Sequence, residues 1–237
     1  MGGTMFAGVA TDEISLEAFS ISGEEEPDGK TILQIYDPAH NTLSRYYWNL
    51  KLDGQGEPIE GENGYEGCWC DFYADPLTEF PTLKPGQGYW LTISEFNEDP
   101  KITIAGAVFT TDTESSTVAL PVVPDVKDMH SNPMPGNALT LDQIYIEGEE
   151  EPDGKTILQL YNPEDNTLTR YYWNLKLDGQ GEPIEIETGY EGCWCDFYAD
   201  PLTEFPTIVA GRGFWLTVSE FGVDSMMRVP NPLYIEK

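Results

Sequence analysis

Two short segments of this 237-residue chain carry paired thiols, Gly67-Cys68-Trp69-Cys70 and Gly192-Cys193-Trp194-Cys195. In an extended strand, residues i and i+2 share a face. Each segment therefore sets two sulfurs side by side with a Trp opposite, and Phe72 continues the cysteine face. Three roles suit that spacing. The pairs Cys68/Cys70 and Cys193/Cys195 serve as small buried hydrophobes, as cysteines often do. Alternatively, each pair closes a disulfide at a bulge, the Cα separation of a flat strand being near the upper limit for that bond. The third role is zinc binding, which requires the two pairs to meet and which lacks the usual two-residue gap between ligands. Thiolate chemistry needs a nearby positive charge, whereas Asp71 stands beside Cys70.

The acidic turns offer a second chemistry. Glu24-Glu25-Glu26-Pro27-Asp28-Gly29 and Asp53-Gly54-Gln55-Gly56-Glu57 concentrate carboxylates around glycines, and both recur later in the chain. Calcium takes six to eight oxygens from flexible loops of this kind. The residues that would supply them are Glu26, Asp28, Asp53 and Glu57, with Glu151, Asp153, Asp178 and Glu182. The spacing is not that of an EF-hand, and the alternative is solvated turns that maintain solubility. Calcium is thus an optional ligand, and no other cofactor is indicated.

Aromatic residues are the third feature. Trp48, Trp69 and Tyr73, with Trp173, Trp194 and Tyr198, could stack on sugar rings from the outer face of a sheet. Packing between sheets, or between the two halves of the chain, is the alternative. Catalysis has little support. His40 and His130 lie outside the repeated pattern, the first being replaced by Asp165 and the second aligning with Met5. No phosphate-binding loop, nucleophile elbow or HExxH segment is present, so the chain is expected not to be an enzyme.

These residues sit in a long internal repeat. Gly23-Glu24-Glu25-Glu26-Pro27-Asp28-Gly29-Lys30 returns 125 residues later as Gly148-Glu149-Glu150-Glu151-Pro152-Asp153-Gly154-Lys155. Between Ile21 and Phe96, about four in five positions match their partners. So long a period implies whole modules rather than a solenoid. We expect a first β module over 1–112 and a second over 113–237. Val118–Val123 reads as a strand and 124–135 as a loop. The first copy then lacks the strand that 118–123 supplies to the second, and truncation is preferred over sharing of that segment or donation by a neighbouring molecule.

Within each copy the hydrophobic period is two. Thr31–Tyr36 and Leu43–Trp48 form a hairpin, followed by strands over 65–73, 88–93 and 101–109. Ser15–Phe19 and Thr140–Ile144 suit short helical turns, as do Asp75–Phe80 and Asp200–Phe205. The fold class that follows is all-β, a tandem duplication of a small antiparallel β-sandwich or barrel.

Pro85-Gly86-Gln87-Gly88-Tyr89-Trp90-Leu91 and Ala210-Gly211-Arg212-Gly213-Phe214-Trp215-Leu216 open such strands. The first resembles a PGxGYW-type motif of β-rich repeat modules in bacterial secreted and surface proteins. Ser131-Asn132-Pro133-Met134-Pro135 resembles a turn of the same modules. The resemblance implies a β fold and an external location, and it supplies no active site.

Charge sets the outer limits. The chain has 42 Asp+Glu against 12 Lys+Arg, a formal net charge of −30. Nucleic acid and anionic membrane surfaces are excluded as partners, because both demand Lys and Arg. No apolar run has the length of a membrane helix, and the N-terminus does not read as a signal peptide. The expectation is a non-catalytic extracellular or cell-surface module in structure, adhesion or assembly, with a protein or polysaccharide partner. A carbohydrate-binding module with Trp/Tyr platforms is the alternative. The sequence leaves the oligomeric state open.

Overall fold

A computed structural model describes residues 3–7, 14–22, 26–37, 40–61, 64–83, 87–94, 101–104, 117–122, 125, 127–131, 138–162, 165–209, 212–219 and 225–230. It is nearly all β, with several antiparallel sheets.

The long hairpin of the first half joins strands Asp28–Asp37 and Thr42–Leu50. Its path follows from two local choices. Asp28-Gly29 makes a bulge, with Gly29 at φ 73° and the Lys30 N–H donating to Asp28 Oδ1 at 3.0 Å. A side chain at that φ would be strained. At the other end Asn41 adopts φ 51°, and its side chain accepts a 2.9 Å hydrogen bond from the Tyr36 hydroxyl. Asn tolerates this left-handed conformation better than most residues.

The hairpin lies inside a five-stranded sheet. In spatial order the strands are Gly3–Ala7, Gly88–Thr92, Asp28–Asp37, Thr42–Leu50 and Gly67–Cys70. The second half repeats the order with Lys127–Ser131, Gly213–Thr217, Asp153–Asn162, Thr167–Leu175 and Gly192–Cys195. Smaller pairings close each half over its core. Lys101–Ile104 pairs with Phe19–Ser22, and Met226–Pro230 pairs with both Tyr145–Glu147 and Thr117–Pro121. Among the described residues, Lys101–Ile104 has no counterpart of the Thr117–Pro121 partner.

Three expectations need correction. The stretch read as a loop over 124–135 contains the strand Lys127–Ser131. Its β character comes from pairing with Gly213–Thr217, a tertiary effect that local propensity does not encode. The register also sets His130 opposite Phe214 and Phe6 opposite Tyr89, so His130 matches Phe6 rather than Met5. Asp75–Phe80 and Asp200–Phe205 form no helical turn, because Pro76 and Pro201 bridge back to Cys70 and Cys195. The short turns at Leu16–Ala18 and Leu141–Gln143 are 3₁₀. Residues 105–109 of the expected last strand lie outside the described residues.

Two separate apolar clusters fill the halves. One gathers Leu16, Phe19, Leu33, Trp48, Trp69, Tyr89 and Leu91, and the other gathers Leu141, Ile144, Leu158, Trp173, Trp194, Phe214 and Leu216. In each, two Trp residues oppose one another across neighbouring strands. Trp48 and Trp69 meet edge to face at 5.2 Å between ring centroids, and Trp173 and Trp194 at 5.1 Å. The Trp69 Nε1–H donates to the Phe19 carbonyl at 2.9 Å, and the Trp194 Nε1–H to the Ile144 carbonyl at 2.8 Å. A buried indole N–H thereby keeps a partner.

The halves touch through reciprocal contacts. Tyr36 meets Trp215 at 5.9 Å, and Trp90 meets Tyr161 at 5.5 Å. Each member of one pair lies 125 residues from its counterpart in the other, the pattern of a two-fold contact. Gln87 bridges His130 beside these rings.

Gly67 and Gly192 are seated against the indoles of Trp48 and Trp173, where an added methyl group would overlap ring atoms. Gly67→Ala and Gly192→Ala are each expected to cost about 1–3 kcal/mol in a denaturant melt, with Trp emission shifted to the red. Gly54→Ala, which has open space around it, is the control and should melt like the parent. Equal melts for all three variants would contradict this packing.

Candidate functional site

Immediately after Cys70 the chain leaves the sheet in a tight turn, Asp71-Phe72-Tyr73-Ala74-Asp75. Asp71 organises it. Its Oδ1 accepts the N–H groups of Tyr73 at 2.8 Å and Asp75 at 3.0 Å. Its own N–H donates to the Asp75 carbonyl at 2.9 Å. Ala74 takes φ 65°, and the Leu77 N–H returns to the Trp69 carbonyl at 3.0 Å. Asp196 builds the same turn around Phe197 and Tyr198, with bonds of 2.8 Å and 3.1 Å and Ala199 at φ 64°.

These turns hold large aromatics in water. Phe72 is 76% exposed and Tyr73 79%, while Phe197 is 75% and Tyr198 80% exposed. The Phe72 and Tyr73 rings stand edge to face at 5.5 Å with 81° between their planes, as do those of Phe197 and Tyr198. Tyr47 and Tyr172 support the Phe rings from the sheet at 6.2 Å and 6.3 Å. Scattered exposed apolar residues are ordinary. Adjacent aromatic pairs on hydrogen-bonded turns, formed twice in one chain, are less ordinary and make these turns the candidate site. Both turns follow the outermost strand of their sheet, at the edge away from the contact between the halves.

The sequence-derived site residues are thereby divided. Tyr73 and Tyr198 stand on the exposed turns. Trp48, Trp69, Trp173 and Trp194 are at most 5% exposed and lie in the core, so they present no platform to a ligand. Their size and apolar area win the inner face. Phe72 and Phe197 were missed as site residues because the strand was extended through them. The Asp-Phe-Tyr-Ala-Asp-Pro run carries the turn signal that places them, an Asx residue followed by Asp-Pro.

The cysteines share the sheet face of Tyr47 and Asn49, or of Tyr172 and Asn174, opposite the Trp side, and Cys70 and Cys195 are buried there. All four are free thiols. The two pairs lie on opposite outer edges of the sheets, so they do not meet to form a shared zinc site.

The acidic turns are self-contained. Asp53 Oδ1 accepts N–H groups from Gln55 and Glu57 at 2.8 Å and 3.0 Å, and Asp178 repeats this with Gln180 and Glu182 at 2.7 Å and 3.0 Å. Those backbone bonds, first the one from Glu57 or Glu182, hold both carboxyls below the usual range. Asp28 and Asp153 pair with the ammonium groups of Lys30 and Lys155 at 2.8 Å and 2.9 Å. Glu26 and Glu151 are exposed. Among the described residues no group of three Asp, Glu, His or Cys is placed to hold a metal ion.

Two carboxyls are out of the ordinary. Glu149 is buried beside a cavity of about 600 Å³ lined also by Glu150, Glu151, Asp153 and Tyr190. Its Oε1 accepts from the Thr156 hydroxyl and from the Ser219 N–H at 3.2 Å. Burial raises its pKa against those hydrogen bonds. Asp128 sits near the contact between the halves, 3.5 Å from His130 Nε2. Burial, helped by the charge of Asp37 and opposed by the Met129 N–H, pushes it up to about 6.

Compared with known proteins, the chain matches no family, no curated protein and no solved structure. Among the described residues no helix is long and apolar enough to cross a membrane.

The raised carboxyls give a signed pH dependence. The folded state holds the Asp128 proton more tightly than the unfolded chain does. Stability from this group is therefore complete below its ordinary value of 3.8 and is lost as pH rises through about 6. Asp128→Asn should melt like the parent near pH 4 and be more stable near pH 7, by up to about 2 kcal/mol. A parent whose advantage over Asp128→Asn grows with pH would reverse the sign and contradict the burial.

Proposed function

We propose that this chain is a non-catalytic module of the cell exterior, used in adhesion or assembly, which grips a protein partner through its two Asx-anchored aromatic turns. The observation that carries the reading is the exposure of Phe72, Tyr73, Phe197 and Tyr198 on turns whose backbone is already hydrogen-bonded. A side chain held in its bound geometry loses little entropy on contact. Burying each Phe against a partner contributes roughly 2 kcal/mol, and aromatic anchors of this kind dominate protein interfaces. The net charge of −30 favours a basic partner surface. An external location is supported by the scarcity of lysine, the abundance of Tyr, Trp, Gly and Pro, and the resemblance to secreted β-rich modules.

Ring geometry favours protein over polysaccharide. A sugar platform stacks on rings that share a plane, whereas Phe72 and Tyr73 stand 81° apart. Carbohydrate binding remains the second reading because Tyr73 and Tyr198 each stand four-fifths exposed near the carboxylates of their own turns. Two equivalent turns also make the chain bivalent, so binding to a dense surface should exceed that of either turn alone.

The test is retention of the pure chain on immobilised basic surface proteins and on a polysaccharide panel, with self-association read by sedimentation. Retention on a protein, or self-association, should fall about 10²-fold when Phe72 and Tyr73 become Ala and vanish when Phe197 and Tyr198 are also changed. The melting temperature should stay near that of the parent. Retention on polysaccharide alone would transfer the turns to the second reading. Binding that ignores all four substitutions would remove the turns from the account.

A further inference from the structure

The paired thiols remain without a role in this reading. Cys68 Sγ lies 3.7 Å from Cys70 Sγ, and Cys193 Sγ lies 3.8 Å from Cys195 Sγ. Both pairs are therefore in contact on one face of their strand. Two residues along an untwisted antiparallel strand span about 6.8 Å between Cα atoms, at the upper disulfide limit of about 6.8 Å. Closing the bond draws the sulfurs to about 2.05 Å, which takes side-chain rotation and a slight deepening of the pleat at the intervening Trp. Both strands lie at a sheet edge. Each is the terminal strand of its sheet, paired on one side with Thr42–Leu50 or Thr167–Leu175, and on the other meets Pro76 or Pro201 in a short bridge closed by the Leu77 or Leu202 N–H on the Trp69 or Trp194 carbonyl. In each pair one thiol is partly buried, Cys68 or Cys193, and its partner, Cys70 or Cys195, is fully buried, so the first of each pair is the more accessible.

We infer that each Cys-Trp-Cys segment is an oxidative modification site that closes an intrastrand disulfide, Cys68 to Cys70 and Cys193 to Cys195, by exchange with a small-molecule disulfide. The more accessible thiol, Cys68 or Cys193, attacks one sulfur of the oxidant as its thiolate. The oxidant S–S bond breaks, one small thiol departs, and a mixed disulfide forms. The buried thiol then gives up its proton and attacks the Cys68 or Cys193 sulfur, releasing the second small thiol. Two cysteine thiols lose two electrons and two protons, and the oxidant gains both as two thiols. Cross-pairing between the segments is excluded by their positions on opposite outer edges.

The electrostatics agree with this order of events. Burial, then the neighbouring cysteine sulfur, then Asp71 and Asp75 or Asp196 and Asp200 push the Cys70 and Cys195 thiols up to about 12. A reduced form whose thiolate is disfavoured makes the disulfide harder to reduce. The second exchange needs the buried thiol to ionise, so its rate is expected to rise with pH. Because Asp71 and Asp196 follow directly in the chain, closure clamps the base of each aromatic turn.

The reduced full-length chain should be equilibrated in glutathione buffers from fully reduced to fully oxidised, quenched with an alkylating agent and weighed intact. All four thiols should be lost, with a mass decrease of about 2 Da per pair before alkylation. Peptide mapping should place both bonds within the Gly67–Asp71 and Gly192–Asp196 segments. The Cys68→Ser, Cys193→Ser double variant should keep its two remaining thiols free of protein disulfides. Four alkylated cysteines in the oxidised buffer, stable glutathione adducts alone, or disulfide-linked dimers would each overturn the inference. None of these outcomes depends on whether the turns bind a partner.

Discussion

The fold rests on one repeated contact, a pair of Trp rings crossing adjacent strands against a glycine. Trp48 faces Trp69, Trp69 hydrogen-bonds the Phe19 carbonyl, and Gly67 leaves room for the Trp48 ring. The bond to Phe19 ties the outermost strand of the five-stranded sheet to the layer that closes over the core. Two indoles bury a large apolar area in a small module, and the Trp69 N–H bond fixes which way the strand faces. Trp173, Trp194, Gly192 and Ile144 repeat the arrangement.

Once Trp69 faces inward, the strand's alternation does the rest. Cys68 and Cys70 must then share the face opposite Trp69, side by side, with Cys70 buried there, and the strand ends where Asp71 captures the next amides. Phe72 and Tyr73 then stand beyond the sheet edge, with no core left to enter. Core, thiol pair and aromatic turn are three consequences of one orientation. The reciprocal Tyr36–Trp215 and Trp90–Tyr161 contacts lie at the other side of each sheet, so both turns remain clear of the junction.

Much of this was legible in the residues. The period of two, the Asp-Gly and Asn-Thr punctuation and the 125-residue repeat gave the hairpins, the β class and the matching strand order. Period two tells which residues share a face but not which face is buried, and so the Trp rings were offered to a ligand when they belong to the core. Lys127–Ser131 was hidden because an Asp, a His and flanking prolines mask a strand that exists only through its partner Gly213–Thr217. The carboxylate-rich turns looked like cation sites because composition counts oxygens. It does not show that Asp53 Oδ1 holds the backbone of its own turn and that Asp28 pairs with Lys30.

The central claim is that the aromatic turns are preorganised rather than loose. Amide hydrogen exchange at Tyr73, Asp75, Tyr198 and Asp200 tests it most directly, because those N–H groups are the ones Asp71 and Asp196 hold. The account requires slowed exchange at all four, lost at Tyr73 and Asp75 in Asp71→Ala while the core amides around Trp69 stay protected. Exchange at the unprotected rate in the parent chain would contradict it.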